Sequence, residues 1–180
     1  MELIRGRHNL RPRHRGCAVT IGNFDGVHLG HQALIFQLRA RAAGHGLPAC
    51  VVTFEPHPRE FFDPGNAPAR LSRLRDKAAT LAGLGADRLL LLRFDAQLAA
   101  LEPQAFIDEL LVAGLGTRDI VVGDDFRFGS ARRGDYDWLA RAGAESGFDV
   151  AAAETRMLDG ERVSSTRVPR ALAAGDLDAA

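Results

Sequence analysis

The sequence predicts an α/β protein built on a parallel sheet with helices on both faces. Two observations carry this expectation. Short, almost wholly apolar runs alternate with longer segments of helical spacing along the chain. Those runs lack the every-other-residue polarity of a strand with one wet face, so they read as buried on both sides. A length of 180 residues, 46% hydrophobic and 26% charged, suits one domain with a core that needs no disulfide or metal staple.

The elements follow in order. CAVTIG (17–22) is a short β-branched strand, and HQALIFQLRARAAG (31–44) has the apolar spacing of a helix. ACVVTFE (49–55) is the second strand, followed by a Pro-rich loop, PHPREFFDPGNAPAR (56–70). LSRLRDKAATLAGLG (71–85) reads as a helix ending at Gly83 or Gly85, and DRLLLLRF (87–94) as a fully buried strand. PQAFIDELLVAGLG (103–116) carries Pro103 near its start and glycine at its end, as helix termini prefer. DIVVGDDF (119–126) is a fourth strand, YDWLARAGAESG (136–147) a helix and FDVAAAE (148–154) a fifth strand. TRMLDGERVS (155–164) reads as a hairpin about Asp159 and Gly160, and SSTRVPRALAAG (164–175) opens a last helix. Ligands of such sheets bind at the carboxyl ends of the strands. The loops after Gly22, Glu55, Phe94, Gly123 and Glu154 are therefore expected to share one edge.

Charge and cysteine content exclude several classes. The 23 basic and 23 acidic side chains cancel, against the basic excess of a general nucleic-acid binder. All the basic residues except Lys77 are arginine. Cys17 and Cys50 fall in apolar strand runs and do not form a secreted disulfide framework. The Arg-rich start, MELIRGRHNLRPRHRG, lacks the apolar stretch of a signal peptide, and no run reaches the roughly 18 apolar residues of a membrane span. The expectation is a cytoplasmic protein with no nucleic-acid or membrane partner.

The sharpest chemical signal is TIGNFDGVHLGHQALI (20–35), where a strand ends, a glycine-containing loop turns and a helix begins. Gly22, Gly26 and Gly30 let the backbone approach a ligand, and the helix start offers unpaired N–H groups to phosphate. His28 and His31, three apart, point to one side and can donate hydrogen bonds to oxygens that gain charge at phosphorus. A metal site with Asp25 or His57 is the alternative use of the pair. The spacing is neither a Walker A loop nor G-x-G-x-x-G, which disfavours P-loop phosphotransfer and hydride chemistry. Pro56 and Pro58 stiffen a loop beyond a strand end. Phe54, Phe61, Phe62, Phe106 and Phe128 can wall a slot for a flat ring, or belong to the core. Of the adjacent Phe61 and Phe62, an extended stretch turns only one toward the slot. Gly123 ends a strand where a nucleoside can approach, and Asp124 and Asp125 can accept its hydrogen bonds or orient hydrated Mg²⁺. Arg127, Arg132 and Arg133 read as surface charge or phosphate ligands. Ser164, Ser165 and Thr166 precede a helical run as caps that serve an anion equally well, between Arg162 and Arg167.

These motifs carry a resemblance. His28-Leu29-Gly30-His31 after the first strand resembles the HxGH signature of nucleotidylyltransferases, which implies a Rossmann-like nucleotidylyltransferase fold. The longer GNFDGVHLGH is similar to the FMN adenylyltransferase module of prokaryotic bifunctional riboflavin kinase/FAD synthetases. TFEPHPREFF (53–62), VVGDDFRFGSARRGD (121–135) and RVSSTRVPRAL (162–172) resemble that family's flavin-side loop, GxDFxFGxxxxG and SSTxxR segments.

The resemblance implies FAD synthesis by adenylyl transfer from ATP to FMN, with Mg²⁺ accompanying ATP and no metal held by the protein itself. It assigns His28, His31, Arg162, Ser165 and Thr166 to catalysis. Gly22, Asn23, Phe24, Asp25, Gly26, Gly30, Gly123, Asp125 and Ser164 fall to ATP. Phe54, Pro56, His57, Pro58, Phe62, Phe106 and Phe128 fall to the flavin, with Phe62 favoured over Phe61. One departure is visible: the SSTxxR arginine falls at Pro169, with Arg167 and Arg170 near but out of register. Residues 1–180 would be one adenylyltransferase module without the family's C-terminal riboflavin kinase module, which would join it only in a longer natural chain. Transfer to another phosphate acceptor and a non-catalytic flavin- or nucleotide-binding module remain the alternatives.

Overall fold

A computed structural model describes residues 1–153, 157–158 and 161–162. Six strands form the main sheet: β1 (Glu2–Arg5), β2 (Ala18–Ile21), β3 (Ala49–Glu55), β4 (Arg88–Arg93), β5 (Asp119–Val122) and β6 (Asp149–Ala152). Their order is β1-β4-β3-β2-β5-β6, and every neighbouring pair is parallel. From β2 the chain builds outward through β3 to β4, then returns to the other side of β2 for β5 and β6. The direction of winding thus reverses between β2 and β5, and the crevice above that point is where open α/β sheets hold ligands.

The helices are α1 (Leu29–Gly44), α2 (Pro58–Phe62), α3 (Leu74–Gly83), α4 (Ala96–Ala99), α5 (Pro103–Phe106) and α6 (Tyr136–Ser146). Alternate strand residues feed two cores, one on each face of the sheet. On one face Val19, Ile21, Val52, Leu90, Leu92, Ile120 and Val122 pack with Phe106, Ile107, Leu111 and Leu139. On the other, Ala18, Val51, Leu89 and Val121 pack with Leu34, Ile35, Leu38 and Leu81 of α1 and α3. Burial of each large aliphatic chain contributes about 1.5–3 kcal/mol, and the continuous apolar runs supply both faces at once. The carboxylate of Asp119, buried at the start of β5, accepts from Arg41 Nε at 2.8 and 2.9 Å. That bond ties the far half of α1 to the sheet and so fixes where its N-terminus points.

The parallel sheet and its two covered faces agree with the sequence reading, and the loops after Gly22, Glu55, Phe94 and Gly123 share one edge; Glu154 lies outside the described residues. Several boundaries differ for physical reasons. The expected Pro-rich loop contains α2, because Pro58 occupies the first helical position and His57 Nδ1 accepts from Arg59 N at 3.1 Å. The helix expected from residue 71 starts at Leu74, because the N–H groups of Leu71 and Ser72 donate to Asp25 instead. The fourth strand stops at Val122, and Gly123–Phe126 forms a turn closed by Phe126 N on Gly123 O at 3.0 Å. The helix of 103–116 begins as α5 and widens to i→i+5 bonding over Ile107–Leu115. The edge strand β1 and the single turn of α4 were not expected; four-residue segments carry too little periodicity to read. Of the expected hairpin, β7 (Met157–Leu158) pairs antiparallel with β8 (Glu161–Arg162), while Asp159, Gly160 and the last helix expected over 164–175 lie outside the described residues.

Candidate active site

The turn between β2 and α1 is wound tightly. Phe24 and Val27 have φ of 50° and 40°, and Gly26 lies between them at 71°. Left-handed backbone at two bulky residues is costly, and such strain persists where surrounding contacts enforce it. The contacts are explicit. The Phe24 ring is fully buried in the α1-side core, so this residue offers a ligand its backbone rather than its ring. The Asn23 carbonyl accepts from Thr53 Oγ1 at 3.1 Å and from Lys77 Nζ at 2.6 Å. The Asp25 carboxylate accepts from Leu71 N and Ser72 N, both at 3.0 Å, and from Ser72 Oγ at 3.2 Å; Gly26 N donates back to Ser72 Oγ at 3.1 Å. A Cβ on Gly26 would meet Leu71 Cδ1 at 2.9 Å, so this position requires glycine twice over.

His28 and His31 meet at the start of α1. Their rings stack with centroids 3.7 Å apart and planes inclined by 23°, and Phe24 lies against His31 at 5.0 Å. His28 caps the helix: its Nδ1 accepts from His31 N at 3.4 Å. An accepting Nδ1 leaves the proton of neutral His28 on Nε2. That Nε2 and His31 Nδ1 are both buried without a hydrogen-bond partner among the described residues. Burial pushes both imidazoles toward the neutral form, His31 to about 3, with His28 and Lys77 reinforcing the effect on His31. Unpaired polar nitrogens at this depth cost free energy unless something pairs with them. They also sit where the N–H groups of Leu29 and Gly30 open the helix and its dipole is positive.

Beyond the ends of β3 and β4 lies an aromatic group. Phe94 packs edge-on against Phe54, Phe61 and Phe62, at 5.8, 5.4 and 5.6 Å. Phe62 is 67% exposed and Phe61 37%. The two were expected in an extended stretch with one facing the slot, but on helix α2 both rings reach Phe94. Phe106 and Phe128, expected to share the slot, lie in the core at 4% and 6% exposure, 5.7 Å apart. Phe126 stacks on Phe128 at 5.4 Å, and half-buried Phe54 packs against the core cluster to which Phe106 and Phe128 belong. Pro56 and Pro58 bracket His57, whose imidazole burial keeps below its ordinary value. Arg70 donates to Glu55 and Glu60, locking α2 to the end of β3.

After β5, Gly123 opens the turn that presents the exposed Asp124 and Asp125. Arg127 pairs with Asp135 at 3.1 Å and Arg133 with Glu102, while Arg132 is exposed. Arg162 falls in β8, with its side chain outside the described residues; Ser164, Ser165, Thr166, Arg167 and Pro169 also lie outside them. Phe94, against Phe54, Phe61 and Phe62, and the buried Lys77, bound to the Asn23 carbonyl, are contacts the sequence reading does not single out. Lys77 carried a signal, as the only lysine among 22 arginines.

A six-stranded parallel sheet with a helix-capping, phosphate-type turn at its reversal point defines a Rossmann-type fold of the nucleotidyltransferase kind. Comparison with known families then places it further: the chain belongs to the FAD synthetase family, which matches residues 10–167. It is 58% identical over its full length to the bifunctional riboflavin kinase/FMN adenylyltransferase of Pseudomonas fluorescens. Identity to the proteins of that name from Escherichia coli K12 and Haemophilus influenzae is 50% and 46%, over 98% and 100% of the chain. The chain spans 58%, 57% and 58% of the lengths of these three relatives. A solved structure described as a macrolide-efflux protein from Streptococcus pneumoniae superposes with a TM-score of 0.83 at 25% identity, covering 98% of this chain and 58% of the other. Among the described residues no helix is long and apolar enough to cross a membrane.

Proposed function

We propose that this chain makes FAD by adenylyl transfer, with FMN and ATP as substrates and pyrophosphate as the other product. A phosphate oxygen of FMN attacks the α-phosphorus of ATP; the new P–O bond forms as the bond to the β-phosphate oxygen breaks, and pyrophosphate carries that electron pair away. The attacking phosphate is already ionised near neutral pH, so no general base is needed, and the protein's part is positioning and charge stabilisation.

The observation that carries this reading is the stacked His28–His31 pair, with unpaired buried nitrogens at the start of α1 above the sheet's reversal point. A neutral His28 donates through Nε2, which suits an α-phosphate oxygen that gains charge as it is attacked. The β2–α1 turn of Gly22, Asn23 and Gly26, with Gly30, gives the triphosphate a backbone lining. Gly123 and Asp125 face the nucleoside across the reversal point. Arg162, Ser165 and Thr166, with Ser164, complete the grip on the leaving pyrophosphate. Exposed Phe62, backed by Phe94, offers the flavin ring a wall beside Pro56, His57 and Pro58, with Phe54 behind it.

Mg²⁺ arrives with ATP. The exposed carboxylates of Asp124 and Asp125 are hard oxygen donors of the type it takes, and it would shield the charge between the phosphates. We place the chain's action in the cytoplasm, on small-molecule substrates rather than nucleic acid or membrane, and read residues 1–180 as an adenylyltransferase module; the Pseudomonas fluorescens relative is named for both riboflavin kinase and FMN adenylyltransferase. The test is chromatographic detection of FAD from FMN, Mg²⁺ and ATP, with a parallel CTP reaction. FAD from ATP supports the reading, and preference for CTP or another acceptor overturns it.

A further inference from the structure

Lys77 sits in the first half of α3, yet its side chain turns inward and is only 6% exposed. A buried ammonium is expensive unless its hydrogen bonds are made, so its placement demands a reason. Nζ donates to the Asn23 carbonyl at 2.6 Å, a short, charge-assisted bond. Asn23 begins the strained turn in which Phe24 and Val27 are left-handed, and its carbonyl already accepts from Thr53 Oγ1 at 3.1 Å. A single neutral bond would satisfy that carbonyl. The second, from a buried cation, fixes its direction.

The surroundings place this cation between the two halves of the site. Burial pulls the Lys77 ammonium below its ordinary value, with Arg70 adding to that pull, while the carboxylates of Asp25, Glu55 and Glu60 oppose it and favour the charged form. Its own charge bears on His31 in the phosphate turn and on His57 at the start of α2. Lys77 therefore stands where the nucleotide-side turn, the flavin-side helix and α3 converge. The backbone of Leu71 and Ser72, just ahead of α3, is bound to Asp25 of the same turn.

We infer that Lys77 is a positioning residue for adenylyl transfer: by holding the Asn23 carbonyl from below, it keeps the β2–α1 turn and its two imidazoles in register with the phosphates. This rests on the adenylyl-transfer reading above. Lys77 does not touch the reacting atoms. It acts through Asn23, and through the positive charge it places behind His31.

The test exploits the composition. Lys77 is the only lysine, so a [¹⁵Nζ]-lysine label gives one side-chain resonance. In the full chain with Mg²⁺ and ATP but no FMN, that resonance is expected to shift as the turn closes on phosphate. Lys77→Met keeps the apolar stem and leaves Asn23 O paired with Thr53, so the variant is expected to fold, as circular dichroism and thermal melting will report. Its kcat for FAD formation should fall about 10- to 100-fold, the scale of a misplaced reacting geometry, with KM for FMN little changed. Lys77→Arg, which restores a cationic donor, should recover part of the loss. Removing the charge behind His31 should also move its NMR titration upward; the kcat-against-KM split and the Lys77→Arg recovery are the readouts that a purely structural role would not produce. A folded Lys77→Met protein with wild-type kcat, or an ATP-insensitive resonance, overturns the inference. If the wild-type chain makes no FAD, the flavin reading fails separately. Lys77 is then judged on ATP binding: about tenfold weaker binding in Lys77→Met upholds its role and equal binding overturns it.

Discussion

The His28 and His31 rings stack 3.7 Å apart at the start of α1, with His28 Nε2 and His31 Nδ1 buried and unpaired among the described residues. Pairing with phosphate oxygens would satisfy both nitrogens. His28→Ala removes the donor we assign to the α-phosphate and is expected to lower kcat about 10²- to 10³-fold with a smaller effect on KM for ATP. His31→Asn loses the stacking partner and one nitrogen, and a comparable fall is expected. Steady-state kinetics with a check of folding by circular dichroism reads both.

The same burial sets an acid limit. His31 has an ordinary value of 6.5 in the unfolded chain and about 3 in the fold, so between these pH values the unfolded state binds the extra proton. Stability from this group is complete above about pH 6.5 and is lost progressively as pH falls toward 3. His28 shifts in the same direction. Urea unfolding from pH 7 to 4.5 should show wild-type stability declining, with a flatter profile in His31→Gln. Parallel profiles would show that His31 is not held neutral.

Asp25 was expected from the sequence to serve ATP, and its carboxylate instead holds Leu71 and Ser72 through three hydrogen bonds. Asp25→Ala leaves two backbone N–H groups without that acceptor and should cost about 1–3 kcal/mol by urea unfolding. Asp25→Asn, which keeps one carbonyl oxygen, should cost less. Either variant loosens the link between the phosphate turn and α3, so a weaker affinity for ATP is expected by calorimetry.

Phe62 and Phe94 separate binding from support. Phe62 is 67% exposed, so Phe62→Ala should change stability by less than about 0.5 kcal/mol. Loss of one aromatic contact, about 1 kcal/mol, should raise KM for FMN about fivefold and leave KM for ATP unchanged. Phe94 contacts three rings, so Phe94→Ala should lower the melting temperature as well as FMN affinity.

The central strands and the HxGH turn were readable because each is a contiguous pattern. β3 and β4 are apolar on both faces, and the glycines and histidines of residues 22–31 mark a strand-to-helix turn. The start of α3 was not, since what delays it is a carboxylate 46 residues away in sequence. Phe106 and Phe128 look like slot residues beside Phe62 in a list of phenylalanines, and only packing distinguishes their buried rings from the exposed one. Phe94 and Lys77 reach the site by long-range contacts, with Phe61 and Phe62 and with Asn23, that local spacing does not encode.

The account is tested most directly by single-turnover FAD formation: wild type and His28→Ala, each incubated with FMN, ATP and Mg²⁺, with FAD and pyrophosphate quantified together. The account predicts equimolar FAD and pyrophosphate from wild type and about 10²-fold or greater slowing in the variant. No FAD from the wild-type chain, or equal rates in the two proteins, would contradict it.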